Sequence, residues 1–463
     1  MQPLVLLNTV GLSARHLPLA PRLHALALAG WQRPMQEIIP AVTCSAQASM
    51  LTGKLPQEHG IVGNGWLYRD TMEVRFWQQS NRLLQAEPLY VTARRRAQER
   101  GEKFRCAKLF WWFNQGAAVD LSVTPKPHYG ADGNKAFDIL TEPEAWAGRL
   151  KRKLGEFPFQ TFWGPMAGLP CTKWIARAAA EILRAEEGPP ELTLVYLPHL
   201  DYDTQRLGPE ACDWRRLVTE LDAACEPLLA AASKVGARVW VLNEYTHVHV
   251  SRTIALNRVL RRMGLLSARD GPFGEQLDTF ASRAFAVSDH QVSHVYVRDT
   301  ADFEAVRGLK DLPGVARVLA DKERREIGLD HPRAGDLIFL SKPDAWFDYR
   351  FWSEDRRAPD YARTVDIHRK PGYDPCELFL DPQLLFPKAR VLQRLIAKKL
   401  GFRTLFDVIP LDPSLVHGSH GLPASEPQNR PVLIGDGPPP SEAAVSQCAV
   451  YDLALRALGL GKS

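Results

Sequence analysis

The chain has 463 residues, 45% hydrophobic and 24% charged, an ordinary globular balance that excludes a disordered, collagen-like or coiled-coil protein. At about 150 residues per domain this is material for three domains, or for one large domain with an insertion, and it buries a full core without staples. Lys plus Arg number 58 against 53 Asp plus Glu, and the resulting +5 is too weak a bias to argue for a nucleic-acid partner. Seven cysteines, an odd count with no CxxC pair, fit neither a disulfide framework nor a zinc finger and point to a reducing compartment. The N-terminus lacks the pattern of a signal peptide, and no apolar run approaches roughly 18 residues, so a soluble cytoplasmic protein with no membrane partner is expected. Homo-oligomerisation stays open.

Leu4–Val10 reads as a fully buried strand, and Pro21–Ala29 as a helix with Pro at its first position and Gly30 just past its end. Leu192–Leu197 and Arg238–Leu242 are again apolar and β-branched, each preceded by a helical stretch, Thr172–Glu186 and Trp214–Val235. The alternation predicts an α/β fold, a mostly parallel sheet covered by helices on both faces, with ligands at the carboxyl ends of the strands. Two regions break the rhythm. Residues 66–165, rich in aromatics and proline, read as an irregular excursion. Residues 292–341 read as a small inserted α/β cap: strand Val292–Val297, helix Asp302–Leu309, strand Val315–Leu319 and strand Leu337–Leu340. The core then comprises 1–291 and 342–463. Arg94-Arg95-Arg96 fits a solvated helix face.

The stretch from Pro40 to Asn64 carries the chemistry. An extended piece ends at Thr43, and a short helix runs to Thr52, closed by Gly53. A hydroxyl at a helix N-terminus sits among free N–H groups in positive potential, which suits a phosphate, and a nearby metal would make it a nucleophile. The plain alternative is that Thr43 or Ser45 only caps the helix.

This stretch resembles the nucleophile region of the alkaline phosphatase superfamily, in its branch of type I phosphodiesterases and nucleotide pyrophosphatases. That branch has a Thr nucleophile, a Thr-Gly nine residues later and a Pro-x-x-His-Gly-Ile-x-x-Asn run. Thr43, Thr52-Gly53 and Pro56-Gln57-Glu58-His59-Gly60-Ile61-Val62-Gly63-Asn64 match it. The resemblance implies an alkaline-phosphatase-like core, Thr43 as nucleophile and the Asn64 amide on a phosphoryl oxygen. It also implies a divalent metal, zinc or alternatively manganese or iron, as one or two ions. Asp201 takes the place of the Asp that binds the first metal, and the His place four residues on is Gln205, a poorer zinc ligand. Glu244-Tyr245 stands where the family has Asp-His for the second metal, and His420 takes the closing His place. The first-strand metal Asp is replaced by Val10, with the polar Asn8 two residues away on the same strand face.

Substitute ligands are offered by Asp366-Ile367-His368-Arg369-Lys370. Extended, this run puts Asp366 and His368 on one face, with Lys370 beyond as a cation for the leaving oxygen; a salt-bridged loop is the equal alternative. Asp289-His290-Gln291-Val292-Ser293-His294 is a second set, which reads as much like a packed cap strand. His247 and His249 follow Glu244 with alternate spacing, so one of them would replace the imidazole missing at Tyr245 if the loop curls back. The expected activity is metal-dependent phosphoric ester hydrolysis of a small phosphate ester or nucleotide-like molecule. The alternatives are a phosphonate hydrolase or phosphotransferase, with Lys370 or Arg15 on a carboxylate, and an inactive ligand-binding pseudoenzyme, argued from Val10, Gln205 and Tyr245.

Overall fold

The computed structural model describes residues 1–131, 135–400, 402 and 404–461. In chain order the strands of its two main sheets are β1 (Leu4–Thr9), β2 (Trp31–Gln36), β3 (Cys106–Leu109), β4 (Leu121–Tyr129), β5 (Lys135–Glu142), β6 (Leu192–Leu197), β7 (Arg238–Leu242), β8 (Ala284–Asp289), β9 (Val292–Val297), β10 (Val315–Leu319), β11 (Leu337–Ser341), β12 (Val432–Gly435) and β13 (Val445–Ser446). The principal helices are α1 (Pro21–Ala29), α2 (Thr43–Thr52), α3 (Leu169–Leu183), α4 (His199–Leu207), α5 (Trp214–Lys234) and α6 (Ala449–Ala457).

Nine strands make the central sheet, in the order β13-β2-β12-β7-β1-β6-β3-β4-β5. All six residues of β1 are buried, as are all six of β6, which is what a parallel sheet covered on both faces demands of its middle strands. β1 runs parallel to β6 and β7 with Asn8 opposite Tyr196 and Leu242. The three strands therefore end together, and the segments that leave them, after Thr9, Leu197 and Leu242, converge on one edge. That carboxyl edge is where a sheet of this kind binds ligands.

The excursion at 66–165 is more regular than its composition implied, because β3, β4 and β5 extend the central sheet. β4 pairs with β3 only over Leu121–Val123, so Pro125 and Pro127 fall where one strand edge is free and their missing N–H groups cost no ladder bond. The expected insertion begins one strand earlier than 292. β8 to β11 form a four-stranded antiparallel sheet, ordered β8-β9-β11-β10, with its own apolar core around Phe285, Val287, Val295 and Phe339. Among the described residues, no helix is long and apolar enough to cross a membrane.

Candidate active site

All ten residues of α2 are buried, yet they include Thr43, Ser45, Gln47, Ser49 and Thr52. Such a helix is tolerable only because its polar side chains are satisfied. Ser45 Oγ donates to the Pro40 carbonyl at 2.7 Å, and Ser49 Oγ lies 2.9 Å from His59 Nε2. His59 Nδ1 accepts the Ile61 N–H at 3.1 Å, and burial pulls this imidazole down to about 3, so it supports the loop as a neutral ring. Gly53, at φ 68°, closes the helix in the left-handed region. This scaffold holds Thr43 at the first helical position, where it lines a cavity of about 1520 Å³.

Thr43 Oγ1 is 3.0 Å from the hydroxyl of Tyr245, which donates onward to Asp201 Oδ1 at 3.3 Å. Burial, with Asp201 beside it, raises the Tyr245 hydroxyl well above its ordinary range and keeps it protonated. Asp201 Oδ1 also lies 3.0 Å from His247 Nε2. Ser419 pairs with Val248 and Gly418 with His249 in a short antiparallel ladder, which sets His247 and His420 side by side. Gly418 is obligatory there, since a Cβ would lie 1.8 Å from the Thr204 carbonyl oxygen of α4, the helix that carries Asp201. His420 Nδ1 must carry its proton to donate to the Ala41 carbonyl at 2.8 Å, which leaves Nε2 as a ligand nitrogen. Burial and the neighbouring His290 and His247 push its pKa well below 6.5, into the neutral state a metal requires.

Asp201, His247 and His420 bring one ligand atom each within 4.8 Å of one another, all buried. Neighbouring ligands of a tetrahedral zinc ion are about 3.3 Å apart. A carboxylate and two imidazoles are the donor set of a site with three protein ligands and an open position, so the residues fit one divalent ion. Gln205 is not part of it. Its Nε2 donates to Asp201 Oδ2 at 2.9 Å and its Oε1 accepts from Tyr373 at 2.7 Å, so it braces the carboxylate, and the imidazole beside Asp201 is that of His247. The loop after β7 does curl back, but it brings His247 to the first metal place beside Asp201 and leaves Tyr245 in the second.

At the second metal place one Glu244 oxygen is taken up by hydrogen bonds, while Glu244 Oε2 and Asn8 Oδ1 have no partner among the described residues. Glu244 Oε1 accepts from Asn8 Nδ2 and from Gln47 Nε2, each at 2.6 Å, so two amide donors stand where a cation would. Burial raises this carboxyl to about 8, with the two amides only partly offsetting the cost. Val10 is fully buried, and the Tyr245 ring lies on His420, 3.5 Å between centroids at 6°. Asn8 thus positions Glu244.

Asn64 Oδ1 accepts the Cys44 N–H at 3.0 Å, one residue on from Thr43. Its backbone N–H and its Nδ2 donate to the two carboxylate oxygens of Asp289, at 2.8 and 3.1 Å. Asp289 ends β8, and His290 beyond it, at φ 60°, turns the chain so that His290 and His294 do not share a face. His290 enters the site between Tyr373 and His420, with centroids at 3.8 and 3.7 Å, while His294 bonds the Val62 carbonyl at 3.0 Å. Nothing in the alternation of that sequence announced the turn.

The run at 366–370 divides. Asp366 and His368 line the cavity wall, with Asp366 accepting from Lys135 at 3.1 Å and His368 weakly held to the Phe76 carbonyl at 3.4 Å, but neither joins the ligand cluster. Lys370 is almost wholly buried, with Asp374 and Glu377 each 2.7 Å from its ammonium. Burial alone would lower its pKa, but the two carboxylates outweigh that and raise it. This is the salt-bridged loop, and the structure does not bring Lys370 to Thr43. The remaining cavity wall is strongly aromatic, with Trp77, Trp112, Phe162, Trp163, Tyr196 and Tyr373 among its residues.

A family model described as type I phosphodiesterase / nucleotide pyrophosphatase matches residues 4–374. None of the curated proteins compared is similar enough to match the chain. Among solved structures, the fold is similar to murine ectonucleotide pyrophosphatase / phosphodiesterase 5, with 13% identity and TM-score 0.57 over 99% of this chain and 95% of that one. An inactive variant of the same murine protein, in complex with AMP, aligns with 13% identity and TM-score 0.58 over 99% and 96% of the two chains. Phosphonoacetate hydrolase from Sinorhizobium meliloti 1021, in complex with phosphonoformate, aligns with 15% identity and TM-score 0.62 over 99% and 96%.

Proposed function

The chain belongs to the type I phosphodiesterase / nucleotide pyrophosphatase family and is thus a phosphoric ester hydrolase; from that premise we propose that it cleaves phosphodiesters through Thr43, beside one divalent ion. The observation that carries this reading is the hydroxyl of Thr43 at the start of a buried helix, facing the same cavity as Asp201 and His420, which with His247 form the ligand cluster. Asp201, His247 and His420 would hold the ion, zinc on the donor set, and when bound it supplies positive charge against the phosphoryl oxygens.

Tyr245 aims Thr43 Oγ1 by its hydrogen bond. As Thr43 Oγ1 bonds to phosphorus and the ester oxygen departs with its electron pair, the threonine proton moves to the Tyr245 oxygen while the Tyr245 proton passes to Asp201 Oδ1. The N-terminal end of α2 sets its partial positive charge at the developing negative charge, and Asn64 Nδ2 offers its second hydrogen to a phosphoryl oxygen. Water then cleaves the bond from Thr43 Oγ1 to phosphorus, restoring the hydroxyl and releasing the phosphate monoester. Thr43→Ala tests the mechanism. It should abolish hydrolysis of bis(p-nitrophenyl) phosphate with zinc binding intact, and turnover at the wild-type level would refute the nucleophile.

The reading as an inactive binding protein rests on Val10, Gln205 and Tyr245; the imidazole of His247 beside Asp201 answers for Gln205 alone, and turnover by zinc-loaded protein would separate the two readings. A phosphonate substrate has the phosphonoacetate hydrolase fold in its favour, and a panel including phosphonoacetate separates it from simple diesters.

A further inference from the structure

Among the described residues, eighteen large apolar side chains are exposed, and seven of them fall between 385 and 405. They are Leu385, Phe386, Leu392, Ile396, Leu400, Phe402 and Leu405, with Leu385 at 87% and Leu400 at 70%. The segment includes the helix Pro387–Lys399, on which Leu392 and Ile396, at 57% and 51%, stand one turn apart, with Leu400 the next step of the same row. A concentration of exposed apolar side chains in one short segment is the surface feature that marks an interaction site. The same stretch, from 385 to 406, contains six basic residues and no acidic one.

We infer that this segment docks the protein, lying in the plane of the interface, on an anionic lipid surface. An apolar row on a strongly basic helix is the pattern of an interfacial helix, and its charge complements acidic headgroups. A second copy of the chain is disfavoured by the same basic composition, since a two-fold contact would bring two like-charged segments together. Asp407 bonds Arg390 and Arg394, which anchors the helix to the body while its apolar row faces outward. Val391, Thr404, Leu405 and Phe406 also line the cavity that reaches Thr43, so the docking surface is continuous with the aromatic wall. Five further exposed apolar side chains, Tyr129, Phe137, Met166, Phe273 and Val365, line the same cavity. Resting on the proposed function, the substrate class is then a phosphodiester carrying an apolar chain, drawn from the surface on which the protein lies.

Flotation of the full chain with vesicles of phosphatidylcholine, with and without phosphatidylserine, tests the docking. The wild type should float with the phosphatidylserine vesicles and less so at raised salt. The double variant Leu392→Glu/Ile396→Glu should stay in solution while hydrolysing bis(p-nitrophenyl) phosphate at the wild-type rate. Failure of the wild type to float with either vesicle, or equal flotation of the variant, overturns the inference. So does a concentration-dependent dimer in gel filtration that the double variant dissolves, which makes a second copy the occupant. Vesicle binding is read without turnover, so an inactive wild type that still floats removes the proposed function and leaves the docking standing.

Discussion

His247→Ala and Gln205→Ala make opposite predictions about metal and stability. Gln205 stands in the sequence place of a metal histidine, whereas His247 places an imidazole nitrogen 3.0 Å from Asp201 Oδ1. Removing His247 takes away one of three ligands. Loss of a group that merely supports a ligand costs roughly 10- to 100-fold in affinity, so zinc binding should weaken by more than about 100-fold, or about 2.8 kcal/mol. The fold should lose about 2 kcal/mol, for a packed ring whose Nδ1 has no hydrogen-bond partner to strand. Gln205→Ala instead leaves Asp201 Oδ2 and the Tyr373 hydroxyl without their partner, costing about 1–3 kcal/mol of stability but no ligand. Zinc competition against a chelating dye, alongside thermal melts of the chelated proteins, separates the two effects. Zinc affinity lost in Gln205→Ala and kept in His247→Ala would refute the assignment of His247.

The metal content itself should be one equivalent of zinc per chain by elemental analysis; two would show that the hydrogen bonds around Glu244 yield to a second ion. In chelated protein, Glu244 keeps its proton up to about pH 8 when folded but only to about 4.5 when unfolded, so its contribution falls as pH rises between those values. The slope is at most about 1.4 kcal/mol per pH unit, and Glu244→Gln should flatten denaturant midpoints measured from pH 5 to 8. Lys370→Ala should strand the buried carboxylates of Asp374 and Glu377 and cost roughly 3–5 kcal/mol of stability. The surviving folded fraction should keep its turnover per active site, and a lost kcat at full folding would return Lys370 to the chemistry. Gly418→Ala should force the 418–419 strand off the Thr204 carbonyl and lower both melting temperature and zinc affinity, whereas a silent substitution would deny that close approach a role.

The central strands were legible because each is an unbroken apolar run, the pattern a doubly covered parallel strand requires. Thr43 was legible through its helix, whose ends are set by an extended Val42 and a left-handed Gly53. β4 and β5 were hidden by prolines that a strand accepts only where its neighbour is missing on one side. The ligand set was half legible. Asp201 and His420, both in the proposed ligand cluster, were named from the sequence, whereas His247 comes beside Asp201 through a ladder between residues 248–249 and 418–419 that joins segments about 170 positions apart. Such a pairing leaves no local mark. Lys370 misled because a buried cation beside two carboxylates reads, in sequence, like a cation waiting for substrate.

The turn at Asp289-His290 decides how the cavity is used. By gripping Asn64 with both carboxylate oxygens and setting His290 against His420, the small sheet is bolted into the wall of the site. It cannot swing as a lid without pulling apart the groups that flank Thr43. Traffic must pass instead through the flank where Tyr129, Phe137, Met166 and Leu405 stand, a standing doorway rather than a gate. Changes of sequence far out on the insertion should therefore register at Thr43, while the doorway can be widened or narrowed side chain by side chain without disturbing the groups behind it.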